Sequence, residues 1–66
     1  MALSVPVTVV APGDRLVIDS PGGERLDRVL GRHHDQHGST FRAVTPGGVP
    51  VVHHYPPGTH LLVVPE

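Results

Sequence analysis

The chain has 66 residues and a formal net charge of −1 when its six histidines are neutral. A chain this short buries only about 60% of the surface that its unfolded form exposes, which excludes a two-domain enzyme. It contains no cysteine, and this excludes a disulfide framework, a thiolate zinc site and a cysteine nucleophile. We expect one domain over residues 1–66, with frayed ends at residues 1–2 and 65–66.

The N-terminal segment alternates between apolar residues and other residues. Its odd positions from Leu3 to Val9 are apolar, which is typical of a half-buried strand. Pro6 has no N–H to donate to a neighbouring strand, so we expect a strand at a sheet edge or a proline nitrogen that faces solvent. The segment has no basic residue before its apolar run and is shorter than the ~20 residues that span a bilayer. We therefore predict that this segment is part of the folded domain and not a cleaved signal or a membrane span, and that the protein is cytoplasmic without membrane association.

Clusters of proline and glycine divide the rest of the chain into short apolar runs. The predicted turns are residues 11–14, 20–23, 46–48 and 56–59. Valine is the commonest apolar residue between them, and this favours strands. The predicted strands cover residues 15–19, 40–45, 49–55 and 61–64, with Phe41 as an anchor of the core. The polar residues 33–39 are predicted to form a loop.

Residues 24–32 fit two kinds of element. Leu26, Val29 and Leu30 have the i, i+3, i+4 spacing of a short helix, whereas Leu26, Arg28 and Leu30 would share one face of a strand. We favour the strand, because the flanking turns recur at the spacing of small all-β domains. About five short strands joined by tight turns then predict an all-β, SH3-like barrel, in which closure hides the strand edges.

Three patches of the sequence resemble a known family. They are Gly13-Asp14-Arg15-Leu16-Val17, Thr40-Phe41-Arg42, and Tyr55-Pro56-Pro57-Gly58-Thr59 running into Leu61-Leu62-Val63-Val64. The chain in these patches is similar to domain-of-unknown-function family nineteen-eighteen, a family of short bacterial proteins. That family has a tryptophan after the arginine matched here to Arg42 and a histidine-glutamate pair after the glycine turn, where this chain has Ala43 and Val49-Pro50. The resemblance implies a small SH3-type barrel and no assigned activity.

Histidine is unusually frequent, and the six histidines fall into two groups. The groups are His33, His34, His37 and His53, His54, His60. His33 and His37 can reach one metal ion from a strand or from a helix, and Asp35 can add an oxygen. Imidazole with carboxylate suits zinc, nickel, copper or cobalt. The alternatives are surface histidines without a site, and a pH sensor whose charge rises by six units as the pH falls through about 6.5.

The positive charge of the chain comes from arginine alone. Five arginines are balanced by six acidic residues, which is a poor footprint for nucleic-acid binding. The candidate binding residues are Arg25, Arg28, Arg32, Arg42 and Tyr55. These arginines can gather on one face, with Phe41 and Tyr55 as stacking platforms for bases. The alternative is that the arginines are solvated and Phe41 belongs to the core.

An enzyme is not expected. The serines lack a nucleophile elbow, the HHxxH string lacks the glutamate of zinc proteases, and the glycine pairs lack the spacing of a phosphate loop. We predict a binding or adaptor module whose partner is a protein or a second copy, bound through the apolar run from Val5 to Ala11. A histidine module that binds zinc, nickel or copper is the alternative, and nucleic-acid binding through an arginine face is the third.

Overall fold

The chain folds into one antiparallel sheet. The structure is a computed structural model, and it describes residues 1–66. The strands are β1 Leu3–Pro6, β2 Arg15–Ser20, β3 Gly23–Asp35, β4 Gly38–Val44, β5 Pro50–Tyr55 and β6 His60–Val64. Their order is β1-β6-β2-β3-β4-β5, so β1 and β5 are the outermost strands. The prediction of a small, all-β, barrel-like domain is confirmed, with six strands rather than about five.

The N-terminal strand is shorter than expected. β1 ends at Pro6, and a 3-10 helix follows over Val7–Val9. Pro6 cannot donate to a ladder, and the next N–H, that of Val7, donates to Thr59 at 3.0 Å outside the strand pairing. The helix turns Val7 into the core and leaves Val9 57% exposed. β1 pairs only with β6, so Pro6 lies on an edge strand, as predicted. No helix is long and apolar enough to cross a membrane.

β3 carries two pairings. Residues 24–32 are strand, as favoured, and the N-terminal half of β3 pairs with β2 while the C-terminal half pairs with β4. The prediction of a loop over residues 33–39 is wrong, because β3 continues to Asp35 and β4 begins at Gly38. These polar residues form the tip of a hairpin, where no alternating apolar pattern marks the strands. Only Gln36 and His37 form the turn.

Gly38 fixes the geometry of this hairpin. Its φ is 123°, in the region that side chains rarely adopt. A Cβ at this position would collide with the carbonyl oxygen of Tyr55 on β5. The hairpin tip therefore requires glycine for its backbone angle and for the close approach of β5.

The core lies on one side of the curled sheet, which we call the inner face. Its six buried apolar residues are Val7, Val10, Leu16, Val29, Phe41 and Val63. Phe41 is fully buried, which agrees with its prediction as a core anchor. Residues of alternate position point to the opposite side, the outer face. Leu26 and Leu30 lie outside this buried set, and Leu30 is 48% exposed at a bulge in β3.

Candidate functional site

A buried carboxylate occupies the inner face of β3. Asp27 is fully buried on that strand, between Arg25 and the buried Val29 on the same face. Arg25 donates two hydrogen bonds to this carboxylate, from Nε to Oδ1 at 2.8 Å and from Nη2 to Oδ2 at 3.1 Å. His53 Nε2 donates to the same Oδ2 at 2.8 Å. Burial raises the pKa of Asp27, but the hydrogen bonds from Arg25 and His53 outweigh burial and leave the pKa below its ordinary value.

Aromatic rings cover one side of this cluster. The rings of His53 and Tyr55 stack with centroids 6.4 Å apart, and Tyr55 lies 6.1 Å from Phe41. Burial, and then the charge of Asp27, raise the pKa of Tyr55 above its ordinary value. Tyr55 thus lies partly buried on the inner face, where it packs against the core.

The cluster of Arg25, Asp27 and His53 joins two strands of the sheet. Asp27 lies on β3 and His53 on β5, with β4 between them. No hydroxyl or thiol lies within hydrogen-bond distance of the His53 ring. Ser39 is bonded to a different histidine, His34, at 2.6 Å and is only 2% exposed. The arrangement satisfies every buried polar side-chain atom and offers no accessible nucleophile.

Asp27 was not among the residues that the sequence singled out. The sequence does contain a relevant feature: an arginine and an aspartate two residues apart lie on the same face of a strand. His53 is 26 residues away along the chain, and nothing in the local sequence marks it as the third member.

The histidines do not converge. His53 donates a hydrogen bond to Asp27. His54 donates from Nε2 to the carbonyl of His37 at 3.1 Å and accepts at Nδ1 from the hydroxyl of Thr40 at 2.9 Å. His60 lies on β6, opposite Pro6 of β1, near the edge of the sheet that is farthest from β5. No group of three or more histidine, aspartate or glutamate side chains is placed to hold a metal ion.

The reason is the alternation of β-strands. His33 and His34 are adjacent on β3 and therefore point to opposite faces. His33 Nε2 lies 3.4 Å from Oδ2 of Asp35. His34 instead packs edge-on against Phe41 at 6.1 Å. The hairpin thus places His33, His34 and His37 without bringing them together as a set of three ligands.

The arginines do not gather on one face either. Arg25 is held by Asp27, and Arg32 donates from Nη1 to the carbonyl of Val10 at 2.6 Å on the inner face. Arg28 and Arg42 lie on the outer face, opposite Val44 and Val52 respectively. Of the predicted arginines, only these two remain free of an ion pair or a hydrogen bond to the protein.

Arg15 is the functional candidate that sequence reasoning missed. It lies directly opposite Arg28 in the ladder of β2 and β3. The two-residue turn Pro21-Gly22 determines this register, because Ser20 pairs with Gly23 and the pairing continues from there. Counting outward from that turn on the sequence alone places Arg15 opposite Arg28.

The two arginines line the largest cavity of the protein. This groove has a volume of about 490 Å³ and is open to solvent. Its lining residues are Arg15, Leu26, Arg28, Val44, Thr45, Pro46 and Gly48. No carboxylate forms an ion pair with either arginine. The only hydrogen bond that either arginine side chain makes within the chain is a long one, from Arg15 Nη2 to the carbonyl of Pro65 at 3.4 Å.

Comparisons of the chain with protein-family models, with curated proteins and with solved structures found no match. The resemblance to domain-of-unknown-function family nineteen-eighteen therefore stays a prediction.

Proposed function

We propose that the chain is a non-enzymatic binding module that holds a carboxylate-bearing segment of a partner protein in the groove at Arg15 and Arg28. The observation that carries this proposal is the register that sets the two arginines opposite each other, on the lining of one groove and without an acidic partner.

Like charges directly opposite each other on neighbouring strands destabilise a sheet. Their Cβ atoms lie about 5 Å apart in such a pair, and no carboxylate of the chain relieves the repulsion. A conflict between local charge and the fold is characteristic of a functional position. Arginine also presents a planar array of donors that matches a carboxylate with two bonds. The pair is thus suited to an anionic group that arrives from outside.

A protein segment fits this surface better than a nucleic acid. Asp19 and Glu24 lie on the same outer face of β2 and β3 as the two arginines and would repel a phosphate backbone. Phe41 and Tyr55 are turned to the inner face, so no aromatic ring beside the groove can stack on a base. The formal charge of the whole chain is −1, which gives no long-range attraction for a polyanion.

The lining of the groove also supports binding rather than catalysis. It contains no histidine, carboxylate or cysteine to act as acid, base or nucleophile. Its one hydroxyl, that of Thr45, accepts a hydrogen bond from the N–H of Val49 at 3.1 Å. The apolar residues Leu26 and Val44 would contact the aliphatic part of a bound segment.

The test is a titration with a fluorescein-labelled peptide that carries two glutamates between neutral residues, followed by fluorescence anisotropy at low salt. We expect binding to weaken about tenfold or more in the double variant Arg15→Gln and Arg28→Gln, since each charged hydrogen bond contributes about 1.5–3 kcal/mol. Arg42→Gln is the matched control, because Arg42 lies on the same face outside the groove.

Equal weakening by Arg42→Gln and by the groove variant would overturn the proposal, since only overall charge would then matter. Tighter binding of a labelled single-stranded oligonucleotide than of the peptide, with the same dependence on Arg15 and Arg28, would assign the groove to nucleic acid instead.

A further inference from the structure

Six residues form a regular pattern on the outer face of β2 and β3, which we call the β2–β3 strip. Their cross-strand pairs are Arg15 with Arg28, Val17 with Leu26, and Asp19 with Glu24. They point outward together, because Leu16 and Asp27, which lie between them in the ladder, are buried on the inner face. The strip is therefore basic at one end, apolar in the middle and acidic at the other end.

Neither end of the strip is neutralised within the chain. The ion pairs of the protein involve only Arg25, His53, His33 and their partners Asp27 and Asp35. Arg15 and Asp19 are four residues apart on one strand, a separation of about 13 Å, so the basic and acidic ends cannot pair with each other. Both like-charged pairs lack a partner in the monomer.

We propose that the partner of the groove is a second copy of this chain, which docks its β2–β3 strip on the same strip of the first copy. The inference rests on the proposed function, since the same arginine pair receives the carboxylates. The two strips face each other, and the two-fold axis lies between them, perpendicular to the strands at the level of Val17 and Leu26. Rotation about this axis reverses the direction of the strip in the second copy. The axis sets Arg15 against Asp19 of the second copy and Arg28 against its Glu24.

Charge selects this arrangement over the other one. A two-fold axis parallel to the strands would set arginine against arginine and acid against acid, which is repulsive at both ends. The axis across the strands produces four complementary contacts and joins the apolar residues Val17 and Leu26 of both copies in the centre. An interface formed by the same patch on both subunits is the usual form of a symmetric dimer.

The interface is small, so the dimer dissociates readily. A stable interface buries about 800 Å² per partner, which would be close to a fifth of the 4175 Å² that the chain exposes. Six side chains cover less than that, and we expect a dimer with a dissociation constant of about 10 µM to 1 mM, in the range of weak encounters. Its ionic contacts weaken as salt rises.

The test is sedimentation equilibrium on four proteins at low salt. They are the wild type, the acid-end variant Asp19→Arg with Glu24→Arg, the basic-end variant Arg15→Glu with Arg28→Glu, and the swapped variant that combines all four changes. We expect each half variant alone to dimerise at least tenfold more weakly than the wild type. We expect the mixture of the two half variants, and the swapped variant alone, to regain association. Arg42→Glu is the control on the same face, and far-ultraviolet circular dichroism verifies that each variant folds.

The outcomes separate this inference from the proposed function. The acid-end variant retains both groove arginines, so it should bind the two-glutamate peptide at least as well as the wild type does. A wild type that remains monomeric at 1 mM, or a dimer that is indifferent to charge reversal, overturns the inference while peptide binding stands. A dimer rescued by charge exchange in proteins that bind no peptide shows that the groove serves only the second copy and overturns the broader function.

Discussion

Asp27 and His53 lie on strands that β4 separates, and a 2.8 Å hydrogen bond between His53 Nε2 and Asp27 Oδ2 joins them across the inner face. Arg25 holds the same carboxylate from β3 with two further bonds. The carboxylate thus joins the first half of β3 to the edge strand β5, with which it has no backbone pairing.

Replacing Asp27 should lower the free energy of unfolding of the protein. In Asp27→Ala the partly exposed guanidinium of Arg25 and the ring of His53 lose their common acceptor, and we expect a loss of about 1–3 kcal/mol. Urea unfolding followed by circular dichroism measures the change. Asp19→Asn removes a carboxylate that is exposed on the outer face and should change the unfolding free energy by less than about 0.5 kcal/mol. Similar values for both variants would contradict a structural role for Asp27.

The stability of the protein should fall in acid because of the same carboxylate. The folded pKa of Asp27 is lowered, so its contribution is fully present above the unfolded pKa of about 3.9 and is lost as the pH falls through the folded value. Urea midpoints measured from pH 6 down to pH 2 should therefore decline most steeply below about pH 4. Asp27→Asn should show a shallower decline than the wild type over that window, and parallel curves would refute this assignment.

Alanine at Gly38 should disrupt the hairpin between β3 and β4. The φ of 123° and the collision of an added Cβ with the Tyr55 carbonyl act together, and we expect a loss of about 2 kcal/mol or more. Gly47→Ala is the matched control, because the nearest atom to its added Cβ is Thr45 Oγ1 at 3.9 Å. Thermal unfolding should show a large decrease for the first variant and a small change for the second.

Removing one arginine of the groove should stabilise the protein. Arg28→Gln relieves the repulsion with Arg15, and cross-strand pairs of this kind contribute about 0.2–1 kcal/mol. The increase in melting temperature should be largest at low salt and should shrink when about 0.5 M NaCl screens the charges. A variant that binds peptide more weakly yet is more stable indicates a surface kept for function. Destabilisation by Arg28→Gln at low salt would contradict this account.

The turns made the fold class predictable. Proline and glycine mark turns by their backbone preferences alone, and the runs between them had the length and valine content of strands. The turn at Pro21-Gly22 even fixes the register that places Arg15 opposite Arg28. Local features of this kind need no knowledge of distant partners.

The site was less predictable, because its partners are distant in sequence. Apolar spacing drew attention to Leu26 and Leu30, which lie outside the core, whereas the polar Asp27 is fully buried together with Val29. A buried carboxylate is tolerated only through Arg25 and His53, and the second of these arrives on another strand. The histidines at the hairpin tip were expected to form a loop because their polarity conceals the strands that carry them.

The position of β6 has a consequence for the folding of the chain. β6 lies between β1 and β2, and it is the only strand with which β1 pairs. The paired residues of β1 and β6 are more than 50 residues apart in the chain, so this pairing closes a long loop. The meander from β2 to β5 can form between strands that are neighbours in sequence, but β1 has no partner until residues 60–64 reach it.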